Sequence, residues 1–132
     1  MIKIGDLEIY AAWVKELHGH IVRVNGPGID NKKKMIVTFI PKEDTVVLLG
    51  GMCSFISDNS EPGLTRPIND QFNTEINITR YPESISGPTY IYRLLIKSGQ
   101  TVIRAGLSKD HMETLIANLK VVVNRDIDNF GA

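Results

Sequence analysis

Met112, Leu115, Ile116, Leu119, Val122 and Val123 recur at the three-and-four spacing of one helical face. A helix with so continuous an apolar stripe needs an apolar surface to lie on, and the residues just before it supply one. Ser108 is placed to cap the helix, Asp110 and Glu113 put negative charge in its first turn, and Leu107 is positioned to staple onto Met112. Upstream, residues 89–97 and 100–107 are β-rich runs separated by Ser98-Gly99, which predicts a tight hairpin. Its alternation sets Tyr92, Leu94 and Ile96 on one face with Thr101, Ile103 and Ala105, and Arg93 with Arg104 on the other. A third strand is predicted over residues 75–81, ending before Pro82.

The first half is read less simply. Leu7, Tyr10, Ala11, Val14 and Leu17 fit a helix, whereas Leu7, Ile9, Ala11 and Trp13 fit a strand; with Asp6 as cap and Gly19 as left-handed stop, the helix is the expectation for residues 6–18. Strands are expected over 20–25, 35–40 and 45–55, the last bent at Gly50-Gly51, with turns at Asn25-Gly26-Pro27-Gly28 and Pro41-Lys42-Glu43-Asp44. The order becomes helix, three strands, a polar loop over 57–74, three strands, helix. This predicts an α+β fold in which one antiparallel sheet of about six strands packs with an N-terminal and a C-terminal helix. A profilin-like layout has a comparable order. If the first segment is a strand, the alternative is a seven-stranded pleckstrin-like barrel capped by the C-terminal helix.

Length and composition set the outer bounds. A chain of 132 residues with 42% hydrophobic and 23% charged content is sized for one domain spanning 1–132, with residues 124–132 as a loosely held tail. Its 15 basic and 15 acidic residues cancel, which argues against generic nucleic-acid binding. The single cysteine, Cys53, leaves no disulfide framework, and no apolar run approaches the roughly 18–20 residues of a membrane span. A cytoplasmic location is the simplest expectation.

No motif in the sequence carries catalysis. Gly26-Pro27-Gly28 followed by Lys32-Lys33-Lys34 lacks the Gly-Lys-Ser/Thr ending and the helix of a phosphate-binding P-loop, and reads as a hairpin with solvated lysines. His18, His20 and His111 assemble no zinc pattern, nothing marks Cys53 as a nucleophile, and Asp58-Asn59-Ser60-Glu61 is not a calcium loop. Neither a metal nor a cofactor is expected.

Two features point to binding instead. Across a Ser98-Gly99 turn, Arg93 and Arg104 stand opposite one another, a like-charge pair that costs free energy unless an anion lies between them. Glu75 or a ligand phosphate can serve, and Arg80 is placed to join them. The 57–74 loop is long for a compact domain and carries Leu64, Arg66, Ile68 and Phe72, a mixture suited to a partner surface. Trp13, Tyr81, Tyr90 and Tyr92 are further aromatic anchors, for a core or an interface. The leading expectation is a non-catalytic module for protein–protein recognition, of the inhibitor, immunity or adaptor type. Sequestration of a nucleotide or phosphorylated metabolite through Arg80, Arg93 and Arg104 is the alternative, and a small hydrolase or transferase comes third. Homo-oligomerisation is left open.

Overall fold

A computed structural model describes residues 1–57, 63–69, 71–82 and 90–130, with side chains excepted at 82, 90 and 126–130. Among these residues the fold is α+β, with two four-stranded antiparallel sheets and two α-helices. In the first sheet, β1 (Ile2–Ile4), β2 (Leu7–Val14), β3 (Gly19–Pro27) and β4 (Lys33–Pro41) form a meander that leads into α1 (Lys42–Ser57). The second repeats that order, with β5 (Gly63–Asn69), β6 (Thr74–Pro82), β7 (Tyr90–Ser98), β8 (Thr101–Ser108) and α2 (Lys109–Phe130). The expected single sheet of about six strands is therefore replaced by eight strands in two sheets.

Three local assignments change. Residues 6–18 are not an α-helix but β2 followed by a single 3-10 turn at Lys15–Leu17: Gly5, at φ 58°, turns β1 into β2, and Leu7 and Ile9 alternate into the core opposite Ile4 and Ile2. Period two wins because Ile2 and Ile4 bring a partner strand to one side and β3 lies on the other. The left-handed residue after Leu17 is His18 (φ 49°), and Gly19 opens β3. Residues 45–55 lie in a helix rather than a bent strand, with Thr45, Leu49, Met52 and Phe55 buried at helical spacing. Glu43 and Asp44 place negative charge in the first turn, favoured by the helix dipole. The 57–74 segment contains β5, which pairs with β6 from Gly63↔Thr79 to Asn69↔Thr74. The tip of that hairpin is an Asx turn in which Asn69 Oδ1 accepts from the backbone N–H groups of Gln71 and Phe72 at 3.0 and 3.3 Å.

The C-terminal half keeps to its pattern. Ser108 Oγ accepts from His111 N–H at 3.1 Å, Leu107 and Met112 are both buried, and α2 runs to Phe130, with residues 131–132 of the expected loose tail outside the described residues. The hairpin register is displaced by one turn position. Ser98 pairs with Thr101, so Gly99 (φ 59°) and Gln100 make the turn.

Inner-face side chains of both sheets and the apolar faces of both helices form one contiguous core, including Leu7, Val24, Ile36, Ile78, Tyr92, Leu94 and Met112. The helices interlock the halves: α1 packs on β5 as well as on β3 and β4, and α2 packs on β1 and β2 as well as on β7 and β8. Between them lies an apolar cavity of about 80 Å³, bordered by Val22, Ile36, Thr38, Ile96 and Leu115 among others. Among the described residues, no helix is long and apolar enough to cross a membrane.

Candidate functional site

With the inner faces committed to the core, the outer faces of the sheets carry the exposed chemistry. On the first sheet, Glu8, Tyr10 and Ala12 of β2 lie beside Asn25, Arg23 and Ile21 of β3, which in turn lie beside Met35, Val37 and Phe39 of β4. Strand alternation that buries Leu7, Ile9, Val24, Ile36 and Ile40 forces these residues outward. The result is an open surface with exposed apolar groups, including Tyr10 (39%), Ile21 (42%), Met35 (59%) and Val37 (51%). Arg23 holds its guanidinium 4.2 Å from the Tyr10 ring centroid, in cation–π contact.

The second sheet's outer face presents Thr79 and Tyr81 of β6, Arg93, Leu95 and Lys97 of β7, and Arg104 of β8. Arg93 lies 5.2 Å from the Tyr81 ring centroid, and Tyr81 is 41% exposed. The Arg93 Nε is buried without a hydrogen-bond partner.

The paired arginines require a correction of register. Arg93 is opposite Gly106 and Arg104 opposite Leu95, so the two share a face as diagonal neighbours rather than facing one another. The displaced turn is the reason. Glu75 does not lie between them; it pairs with Lys97 at 3.8 Å. Arg80 is on the opposite, helix-facing side of β6, with its guanidinium 5.7 Å from the Phe55 ring. The structure thus brings Arg93 and Arg104 together and separates Arg80 from them.

The four proposed partner-binding residues are divided in the same way. Ile68 is buried and Leu64 packs against the core, because β5 turns both inward. Arg66 shares that inward side but lies in the crevice between β5 and α1, and Phe72 is 48% exposed at the hairpin tip. Tyr92 is a core residue against Phe55, with ring centroids 6.0 Å apart, and Trp13 is half-buried in edge contact with the rings of His18 and His20.

The glycine- and lysine-rich turn is ordered by its own residues. Asp30 accepts from Lys32 N–H at 3.0 Å and pairs with Lys34 Nζ at 3.4 Å; the backbone hydrogen bond, helped by the lysine charge, lowers its carboxyl pKa. Lys34 is thereby engaged within the turn. Among the described residues, no group of three His, Cys, Asp or Glu is placed to hold a metal ion, and Cys53 lies half-buried on α1.

Charge is segregated although the total is zero. The outer faces carry Lys3, Arg23 and Lys33 on one sheet and Arg93, Lys97 and Arg104 on the other, against Glu8 and Glu75. Glu8 stands opposite Lys3, and Glu75 is already paired. Among the described residues, no carboxylate pairs with Arg23, Arg93 or Arg104. Sequence reasoning singled out Arg93 and Arg104 but missed Tyr10 and Arg23, whose signal appears only when residues 7–14 are read as a strand.

No protein-family model, curated protein or solved structure matches this chain.

Proposed function

We propose that this chain is a non-catalytic binding module that holds single-stranded nucleic acid against the outer faces of its sheets. The observation that carries this reading is a repeated arrangement. Tyr10 and Arg23 stack between the second and third strands of one sheet, and Tyr81 and Arg93 stack between the second and third strands of the other.

An exposed aromatic ring beside a guanidinium on an open sheet suits unpaired bases, whose π-faces stack on the ring while the cation meets phosphate. Four-stranded sheets that display aromatics are a recurring platform for single-stranded RNA, whereas a duplex hides the faces that such a platform reads. The neutral total does not oppose this reading, because Arg23, Arg93 and Arg104, which have no carboxylate partner among the described residues, lie on these faces.

Fluorescence anisotropy with labelled oligothymidylate, and with the same strand in a duplex, tests the proposal. Preferential binding to the single strand, weakened by salt, is expected. Tyr10→Ala and Tyr81→Ala should each cost about 1–3 kcal/mol, roughly five- to 150-fold in affinity. Absence of salt-dependent binding would sink the reading.

Protein–protein recognition remains the second reading, favoured by the apolar run Ile21, Met35 and Val37 beside Tyr10 on the same face. It predicts that Met35→Asp abolishes protein association while the oligonucleotide assay stays silent. A phosphorylated small molecule would have Arg93 and Arg104 available on the outer face of the second sheet, without Arg80.

A further inference from the structure

We propose that the groove between α1 and β5 is a second binding site, separate from the outer sheet faces, for a small organic anion: a carboxylate or phosphate monoester on an apolar body. Its centre is Arg66. On β5 this residue lies between Leu64 and Ile68, both directed into the core, and opposite Ile76 of β6, so it faces α1 rather than solvent beyond the sheet.

The guanidinium lies along the helix at Gly51. A Cβ there would stand 3.4 Å from Arg66 Nε and 3.6 Å from Nη2, an ordinary van der Waals contact, which places the guanidinium flush against the helix at this position. Two successive glycines, Gly50 and Gly51, weaken the interior of a helix, and only Gly51 has a neighbour within 4 Å of its would-be Cβ.

Arg66 is half-buried, yet among the described residues it has neither a hydrogen bond nor an ion pair. A partly desolvated cation without a counter-charge is an unfinished interaction that an oxyanion completes, and the planar guanidinium offers two parallel N–H donors to it. The groove has a volume of about 480 Å³, and its walls include Val47, Ser54, Phe55 and Leu64. Among the described residues it has no carboxylate in its lining; Asp44 borders a smaller adjoining hollow of about 220 Å³ that shares Val47 and Arg66.

This combination specifies the ligand's parts. Arg66 takes the anionic head, Val47, Phe55 and Leu64 cover an aromatic or aliphatic body, and Ser54 supplies a hydroxyl for one further hydrogen bond. The crevice, bounded by helix on one side and strand on the other, fits a small molecule of the usual pocket size, roughly 300–1,000 Å³.

The test uses the full chain, titrated with phenyl phosphate and with benzoate, and with inorganic phosphate and benzyl alcohol as the head-only and body-only controls. The readouts are the NMR signals of Arg66 Nε–H and the Gly51 amide. Saturable shifts are expected with both aromatic anions, and binding of each control should be weaker by roughly tenfold or more. Benzoate and phenyl phosphate separate carboxylate from phosphate preference. Arg66→Met should remove the response while leaving oligonucleotide affinity unchanged, which separates this site from the outer faces. If that variant does not fold, Arg66→Lys, which keeps the positive charge but loses the planar pair of donors, should weaken anion binding at least severalfold. No saturable shift at Arg66, an equal response to benzyl alcohol, or anion binding that survives both substitutions would overturn the proposal.

Discussion

Gly26 of β3 and Ile103 of β8 meet where the two sheets cross: a Cβ on Gly26 would stand 2.7 Å from Ile103 Cγ2. Ile103 is 1% exposed, so it has little room to retreat. Gly26→Ala should destabilise the fold by about 1–3 kcal/mol through overpacking. Denaturant unfolding measures the loss. The double variant Gly26→Ala with Ile103→Leu should recover part of it, because leucine keeps the side-chain volume but has no methyl branching from Cβ at the point of contact.

Thr38, on the inner face of β4, is 5% exposed, and its Oγ1 is buried without a hydrogen-bond partner. Because the hydroxyl loses water and gains nothing, Thr38→Val exchanges an unsatisfied group for a methyl of the same shape. A stabilisation of about 1 kcal/mol is expected. A lower midpoint of thermal unfolding for the variant would show that the hydroxyl is satisfied in solution.

The cap of α2 depends on one bond, from His111 N–H to Ser108 Oγ. Ser108→Ala should cost about 1 kcal/mol, within the usual 0.5–2 range for such a loss. Ser108→Asp should retain the bond and match the positive end of the helix dipole. Equal melting temperatures for the alanine and aspartate variants would contradict this role.

For the outer face, Arg23→Gln keeps a polar side chain but removes the charge over Tyr10. Oligonucleotide affinity should fall, and the slope of log affinity against log salt should decrease by about 0.7, the share of one phosphate contact on a single strand. A drop in affinity with an unchanged slope would assign Arg23 to supporting Tyr10 rather than to phosphate.

These tests fall unevenly on what the sequence made legible. The C-terminal hairpin and helix were readable because their periods are unambiguous and Ser108 marks the boundary. Residues 6–18 satisfied both periods, and only β1 and β3, pairing from elsewhere in the chain, decided between them. In residues 45–55, valines, leucines and the Gly50-Gly51 pair suggested a strand, although Thr45, Leu49, Met52 and Phe55 already had helical spacing.

The candidate site followed the same division. Arg93 and Arg104 were visible because their strands were correctly identified, with their offset hidden in which two residues form the turn. Tyr10 and Arg23 were hidden by the helical reading. Arg66 was noticed, but in a loop, and its relation to Gly51 needs the fold.

The crossing of the helices between halves bears on how the chain comes to exist. While the polypeptide is being made, Ile2, Leu7 and Ile9 emerge long before α2, the helix that packs on their strands, so the first meander must wait with its greasy side open. A nick between α1 and β5 would accordingly give complementary fragments rather than two autonomous units, each carrying the lid that the other lacks.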